Sequence, residues 1–184
     1  MDLDDVVPVA EHVTYQSRVI DAPPSVVWDE LHRLKLTSLP VSLLLSGVRA
    51  LPVLLAGRWR GALHHTFLDL IPIPVLASDP PSSVVFGGLL RAWRLRGGDQ
   101  PPALDAAGVR EWTEPGWVKV GMQFRLTRSL GGTRLSCETR VAATDPETRR
   151  HFDRYWRVAG PGGSAVRREV LIAVALRAEG RHQP

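Results

Sequence analysis

His151 and Tyr155 stand four residues apart in a stretch of helical period, which sets an imidazole and a phenol on one helical face. Groups of those two types can give and take protons, so the pair is the candidate for acid–base work; a plain surface histidine is the competing reading. Asp69, Glu138 and Asp153 supply carboxylates inside regular elements. Glu138 falls on the polar side of a strand by alternation, and Asp153 reads as the i,i+4 partner of Arg157. Cys137 lies on an apolar strand face, where a thiol without a base beside it is an inert core residue. His64 and His65 are adjacent, so on a strand they point to opposite faces and cannot share one ion. His12, His32, His151 and His182 are scattered, and a single cysteine excludes both an internal disulfide and a cysteine-based zinc site. No metal is expected. No cofactor is expected either, because the chain has no phosphate loop or dinucleotide fingerprint: Gly160-Pro161-Gly162-Gly163 sits within a helical stretch rather than after a strand.

The elements that must position these groups follow from periodicity. Residues 1–11 read as a loose, acidic start. Val13, Tyr15, Ser17 and Val19 alternate with His12, Thr14, Gln16 and Arg18, the period-two pattern of a strand, which Asp21-Ala22-Pro23-Pro24 ends. A short helix follows, with Trp28 on its apolar side. The segment from Leu39 to Leu55 is the most apolar in the chain, but Pro40, Gly47, Arg49 and Pro52 break it before the ~20 residues a membrane span needs, so it reads as a buried or lid helix, with a membrane-surface element as the alternative. Thr66 to Ile73 reads as a strand or a pair of short ones, and Ser83 to Arg96 as another, bent at Gly87-Gly88. The clearest pair comes next. Val118, Val120, Met122, Phe124 and Leu126 share one face; after a turn at Gly131-Gly132, Leu135, Cys137, Thr139 and Val141 share the matching face of an antiparallel partner. Asp145-Pro146 then opens a long helix with an N-cap carboxylate and a proline at its first position. Phe152, Trp156, Val166 and Val170 form its apolar stripe, and Gly160 to Gly163 is expected to break it in two.

At 184 residues, with 44% hydrophobic and 23% charged residues, the chain is expected to form one domain, 1–184, with a sizeable core. The acidic start with no apolar run behind it does not read as a signal peptide, and one cysteine fits a reducing cytoplasm. Net charge is +4 and the sequence pI about 10.0. The positive charge is nearly all arginine, a bias of GC-rich genomes. Arg149, Arg150, Arg154, Arg157, Arg167 and Arg168 make the last helix basic, but Glu147, Asp153 and Glu169 are interleaved and no aromatic–basic recognition motif accompanies them, so no nucleic-acid partner is expected. The sequence leaves the oligomeric state open, a homodimer included.

A strand, helical segments, a run of antiparallel strands and a long terminal helix make an α+β order. That order resembles the START-like superfamily of ligand-binding and polyketide-cyclase-type proteins, also called SRPBCC. The stretch SRVIDAPPSVVWDEL, Ser17 to Leu31, is similar to the superfamily's first strand and helix, and GGTRLSCETRVAATDPETRRHFDRYWRV, Gly131 to Val158, to its last strand and helix. The resemblance implies a helix-grip fold: a curved antiparallel sheet around a long C-terminal helix with a central cavity. It implies a small hydrophobic, lipid- or polyketide-like molecule as partner. The residues to line such a cavity are Phe86, Met122, Phe124, Leu126, Cys137 and Thr139 from the sheet and Phe152, Trp156, Val166 and Val170 from the helix, with Val41 to Leu55 closing the entrance. Three readings stay open: a carrier of that ligand, a cyclase or dehydratase using His151 or Tyr155, and an interaction protein whose core is filled. The first two require a cavity of about 300 Å³ or more.

Overall fold

The computed structural model describes residues 1–40, 66–91 and 103–182. The expected lid, Val41 to Leu55, lies outside them, as do His64, His65, Trp59 and Trp93. The fold is α+β: five antiparallel strands in the order β1-β5-β4-β3-β2 and a long C-terminal helix, the helix-grip set of elements. The strands are β1 (His12–Ile20), β2 (Val75–Asp79), β3 (Ser83–Leu90), β4 (Val118–Ser129) and β5 (Gly132–Ala143); the helices are α1 (Leu3–Val6), α2 (Pro24–Arg33), α3 (Ala106–Glu111) and α4 (Pro146–His182). The chain groups into two compact units. One holds Met1–Gln16, Ile73–Arg125 and Ser136–Pro161; the other holds Ser17–Pro72, Leu126–Leu135 and Gly162–Pro184.

In the first unit the start of the chain is not loose. The Asp5 carboxylate accepts the Asp2 N–H at 2.9 Å and the Asp2 carboxylate accepts the Asp4 N–H at 2.9 Å, a reciprocal cap that closes the single turn of α1. Leu3, Val6 and Val7 are buried and share a cluster with Val85, Ala106 and Val109. Two glycines make room for them. A Cβ on Gly121 would lie 2.9 Å from Leu3 Cδ2, and one on Gly87 would lie 2.7 Å from Val6 Cγ1 and strike the Leu76 side chain. The polar side of the β4–β5 hairpin is therefore largely covered in this unit. Gln123 is buried, Lys119 Nζ donates to the Arg110 carbonyl, and Arg140 bridges Asp4 and Glu138. The hydrogen bonds that Arg140 donates to those two carboxylates, Asp4 first, raise its pKa above the ordinary value.

At Gly87-Gly88 the ladder is not loosened: β3 pairs with β4 without a slip from Ser83↔Arg125 to Leu90↔Val118. The glycines make room for close packing. The strand expected at Thr66 to Ile73 is instead a tight turn, because the Asp69 carboxylate accepts both the Thr66 N–H at 3.0 Å and the Thr66 hydroxyl at 2.7 Å and winds Leu68–Leu70 into a 3₁₀ segment. The strand comes later, as β2. At the hairpin the turn is Leu130-Gly131, with Gly131 at φ +83. Gly132 opens β5 at φ +123, where a Cβ would strike the Ile20 carbonyl oxygen, so no side chain fits.

The long helix starts as expected. Asp145 accepts the Glu147 and Thr148 N–H groups, each at 2.9 Å, and the Thr148 hydroxyl; it also takes the Gly116 N–H at 2.8 Å from the loop before β4. The Thr148 hydroxyl, its N–H and the Gly116 N–H hold the Asp145 pKa well below the ordinary carboxylate range, against a smaller opposing effect of burial. The expected break does not occur: helix α4 is continuous from Pro146 to His182 with Pro161 inside it. Gly160 gives room to the Trp156 indole, which would lie 3.1 Å from a Cβ there, and Gly163 does the same for the Arg167 guanidinium. No helix starts at Ser164; its hydroxyl accepts from Arg167 Nη2 at 3.3 Å.

In the second unit, Glu30 of α2 is a buried carboxylate paired with Arg177 at 3.3 Å and Arg181 at 2.9 Å from the end of α4. The Thr133 hydroxyl donates to the Ala22 carbonyl at 2.7 Å. Ile20, Val27, Leu31, Leu135, Val170 and Val174 are buried.

Candidate functional site

In the first unit the sheet has an outer side, marked by Asp4 and Val7 on Arg140, and an inner side, marked by the contact of His12 with helix α4. Alternation then assigns every strand. Glu138 and Arg140 are outer, so Cys137, Thr139 and Val141 are inner. Gly121 and Gln123 pair with the outer Gly87 and Val85, so Val120, Met122 and Phe124 are inner, beside Gly88, Phe86 and Val84. The two-residue turn sets Met122 opposite Thr139 and Phe124 opposite Cys137. The Thr144 N–H donating to the Trp117 carbonyl at 3.0 Å holds the same register at the far end. Phe86, Met122 and Thr139 thus form one row across three strands.

Seven of the ten expected lining residues belong to this unit. Phe86, Phe124, Cys137, Thr139 and Phe152 are buried; Met122 and Trp156 are half-buried. Leu126, Val166 and Val170 belong to the second unit, where Leu126 and Val170 are buried and Val166 half-buried. Of the acid–base candidates, His151 is exposed, while Tyr155 is half-buried with its ring 5.8 Å from Phe152.

The inner side of β1 is polar. His12, Thr14 and Gln16 are turned inward, and the apolar members of the alternation, Val13 and Tyr15, are 56% and 57% exposed. His12 explains the choice of face. Its Nε2 lies 2.8 Å from the Asp153 carboxylate of α4, and its ring stands 5.3 Å from both Phe152 and Trp156. A carboxylate only accepts, so Nε2 carries a proton, and in the neutral ring Nδ1 then holds the lone pair. Asp153 therefore orients a ring rather than merely pairing with Arg157 at the surface. Thr14 Oγ1 and Thr139 Oγ1 are buried on this same side with no hydrogen-bond partner among the described residues. Gln123 Nε2 is also unpaired, but on the outer side, where its carbonyl accepts from Arg125 Nη2 at 3.3 Å. What sets the inner side apart is the company: an oriented imidazole, two hydroxyls and half-buried Met122 and Trp156.

Sequence reasoning passed over His12 and Thr14, because polar residues of an alternating strand read as its wet face. The contrary signal was the partner strand, whose inner row carries Thr139 among apolar neighbours. Among the described residues no group of three or more His, Cys, Asp or Glu side chains is placed to hold a metal ion, and no helix is long and apolar enough to cross a membrane.

No family model matches the chain, and no curated protein matches it. Among solved structures it is similar to MLL2253 from Mesorhizobium loti, at 16% identity and TM-score 0.42, over 94% of this chain and 100% of that one. It is also similar to CV1439 from Chromobacterium violaceum, at 12% identity and TM-score 0.33 over 92% and 99% of the two chains. CalU16 from Micromonospora echinospora gives 16% identity and TM-score 0.29 over 91% and 83%.

Proposed function

We propose that the inner side of the sheet in the first unit binds a small, largely apolar molecule that carries a hydrogen-bonding group, in the manner of the START-like proteins the sequence resembles. One observation carries this reading: Thr14 Oγ1 and Thr139 Oγ1 are buried and unpaired on the side where Met122 and Trp156 stay half-buried. Buried hydroxyls are ordinarily satisfied, and a pair left open beside accessible apolar surface matches a ligand's polar atom flanked by its hydrocarbon. Phe86 and Phe124 supply the apolar floor, and Phe152 and Trp156 the aromatic wall. The buried thiol of Cys137, which is in no disulfide, is in keeping with a reducing, cytoplasmic setting.

The test is native mass spectrometry of the protein taken from its own host, followed by extraction of whatever is bound. A discrete apolar mass, lost in Trp156→Ala, is the expected result. A bare protein that also shows no thermal shift across a lipid and polyketide panel overturns the reading in favour of a filled core.

A further inference from the structure

The His12–Asp153 pair has no role in simply holding an apolar ligand. A carboxylate on one ring nitrogen and a lone pair on the other is the arrangement of a general base. Phe152 and Trp156 pin the ring from the helix side. The His12 side chain is 20% exposed and that of Asp153 44%, so the pair is open to water. Thr14 lies two residues along the same strand face, roughly 6.6 Å from His12 by strand rise, and Thr139 stands on the neighbouring strand. Their two hydroxyls have no protein acceptor among the described residues and are free to donate to an oxyanion. Tyr155 on α4 and Cys137 on β5 are further titratable groups on the elements packed here; the Glu11 carboxylate beside His12 is taken by the Ala143 N–H at 2.7 Å.

Resting on the ligand-binding reading, we infer that this side of the sheet hydrolyses an ester of an apolar acid, with His12 as general base on water. His12 Nδ1 takes a proton from a water molecule as its oxygen bonds to the ester carbonyl carbon. The carbonyl π pair moves onto oxygen, and the hydroxyls of Thr14 and Thr139 donate to that oxyanion. The oxyanion pair then re-forms the carbonyl, the carbon–alkoxy bond breaks, and the imidazolium returns its proton to the departing alkoxide. Acid and alcohol are the products, and no other reactant is needed. Asp153 is a positioning residue, holding the ring's tautomer and balancing the imidazolium. Apolar Phe86, Met122 and Phe124 select the acyl chain.

The experiment uses the full chain and α-naphthyl butyrate, with binding read by tryptophan quenching and hydrolysis by released naphthol. Saturable hydrolysis is expected. His12→Gly should retain roughly a hundredth of the rate and recover on addition of free imidazole, which a merely structural role would not allow. Thr139→Val should lower kcat about a hundredfold, a larger loss than its weakening of binding. Asp153→Asn should lower kcat, with Asp153→Glu restoring part of it. Binding without hydrolysis overturns the inference and leaves the ligand reading standing. Hydrolysis lost in His151→Ala but kept in His12→Gly overturns it in favour of the exposed histidine. If the ester neither binds nor reacts, the ester class is overturned, and mass spectrometry of the native protein decides the ligand reading separately.

Discussion

Strands β3 and β4 are buried on both sides in the first unit, yet the two sides are built differently. Against the outer side lie Leu3, Val6, Val7, Ala106 and Val109, seated where Gly87 and Gly121 have no side chains. Hydrocarbon meets backbone there with no slack. The inner side combines phenylalanines with an imidazole, threonine hydroxyls and half-buried Met122 and Trp156. A stability optimum would not leave hydroxyls unpaired. The outer side therefore supplies the rigidity, and the inner side carries the surface proposed to bind a ligand.

The contrast breaks first at Gly87. Gly87→Val should cost about 3 kcal/mol or more by overpacking against Val6 and Leu76, read as a fall in the denaturant midpoint. Tolerance of valine would mean that the outer packing is loose. Leu3→Ala should cost about 2–3 kcal/mol, which a free, disordered start would not show. Asp145→Ala should cost about 1–2 kcal/mol through the lost cap. The sign of its pH dependence follows from a folded pKa below the unfolded one. The contribution is full above an unfolded carboxylate's value of about 4 and is lost as pH falls from there toward the lower folded value. Wild type and Asp145→Ala should thus converge in acid, measured by thermal melts between about pH 6 and 2. Smallest is Thr139→Val. Removing an unpaired hydroxyl should change stability by less than about 0.5 kcal/mol or raise it, while ligand affinity falls. A clear loss of stability would show that the hydroxyl belongs to the core after all.

What the sequence showed depended on range. The β4–β5 hairpin and the Asp145-Pro146 start were legible because alternation, a glycine turn and a cap are local signals. The buried inner row was legible for the same reason, since Phe86, Phe124 and Cys137 are apolar in strand period. The role of residues 1–7 was not: three aspartates read as solvated, and the surface that Leu3 and Val6 cover is defined by Gly87 and Gly121, far along the chain. His12 was hidden more deeply, because its partner Asp153 is 141 positions away. The missing break in α4 is a matter of magnitude. A proline in a helix interior costs about 3 kcal/mol, which the packed faces on either side of it can outweigh.

Pro161 still leaves its mark. Having no N–H, it cannot return the Arg157 carbonyl's hydrogen bond, so a 37-residue helix has one rung missing near its middle. Seen through the exchange of its amide protons for deuterium, α4 should be two zippers sharing one rod. Protection should rise inward from Pro146, dip around Arg157 to Ser164, and rise again toward Val170 before the far end frays, so that one half can open while the other stays shut.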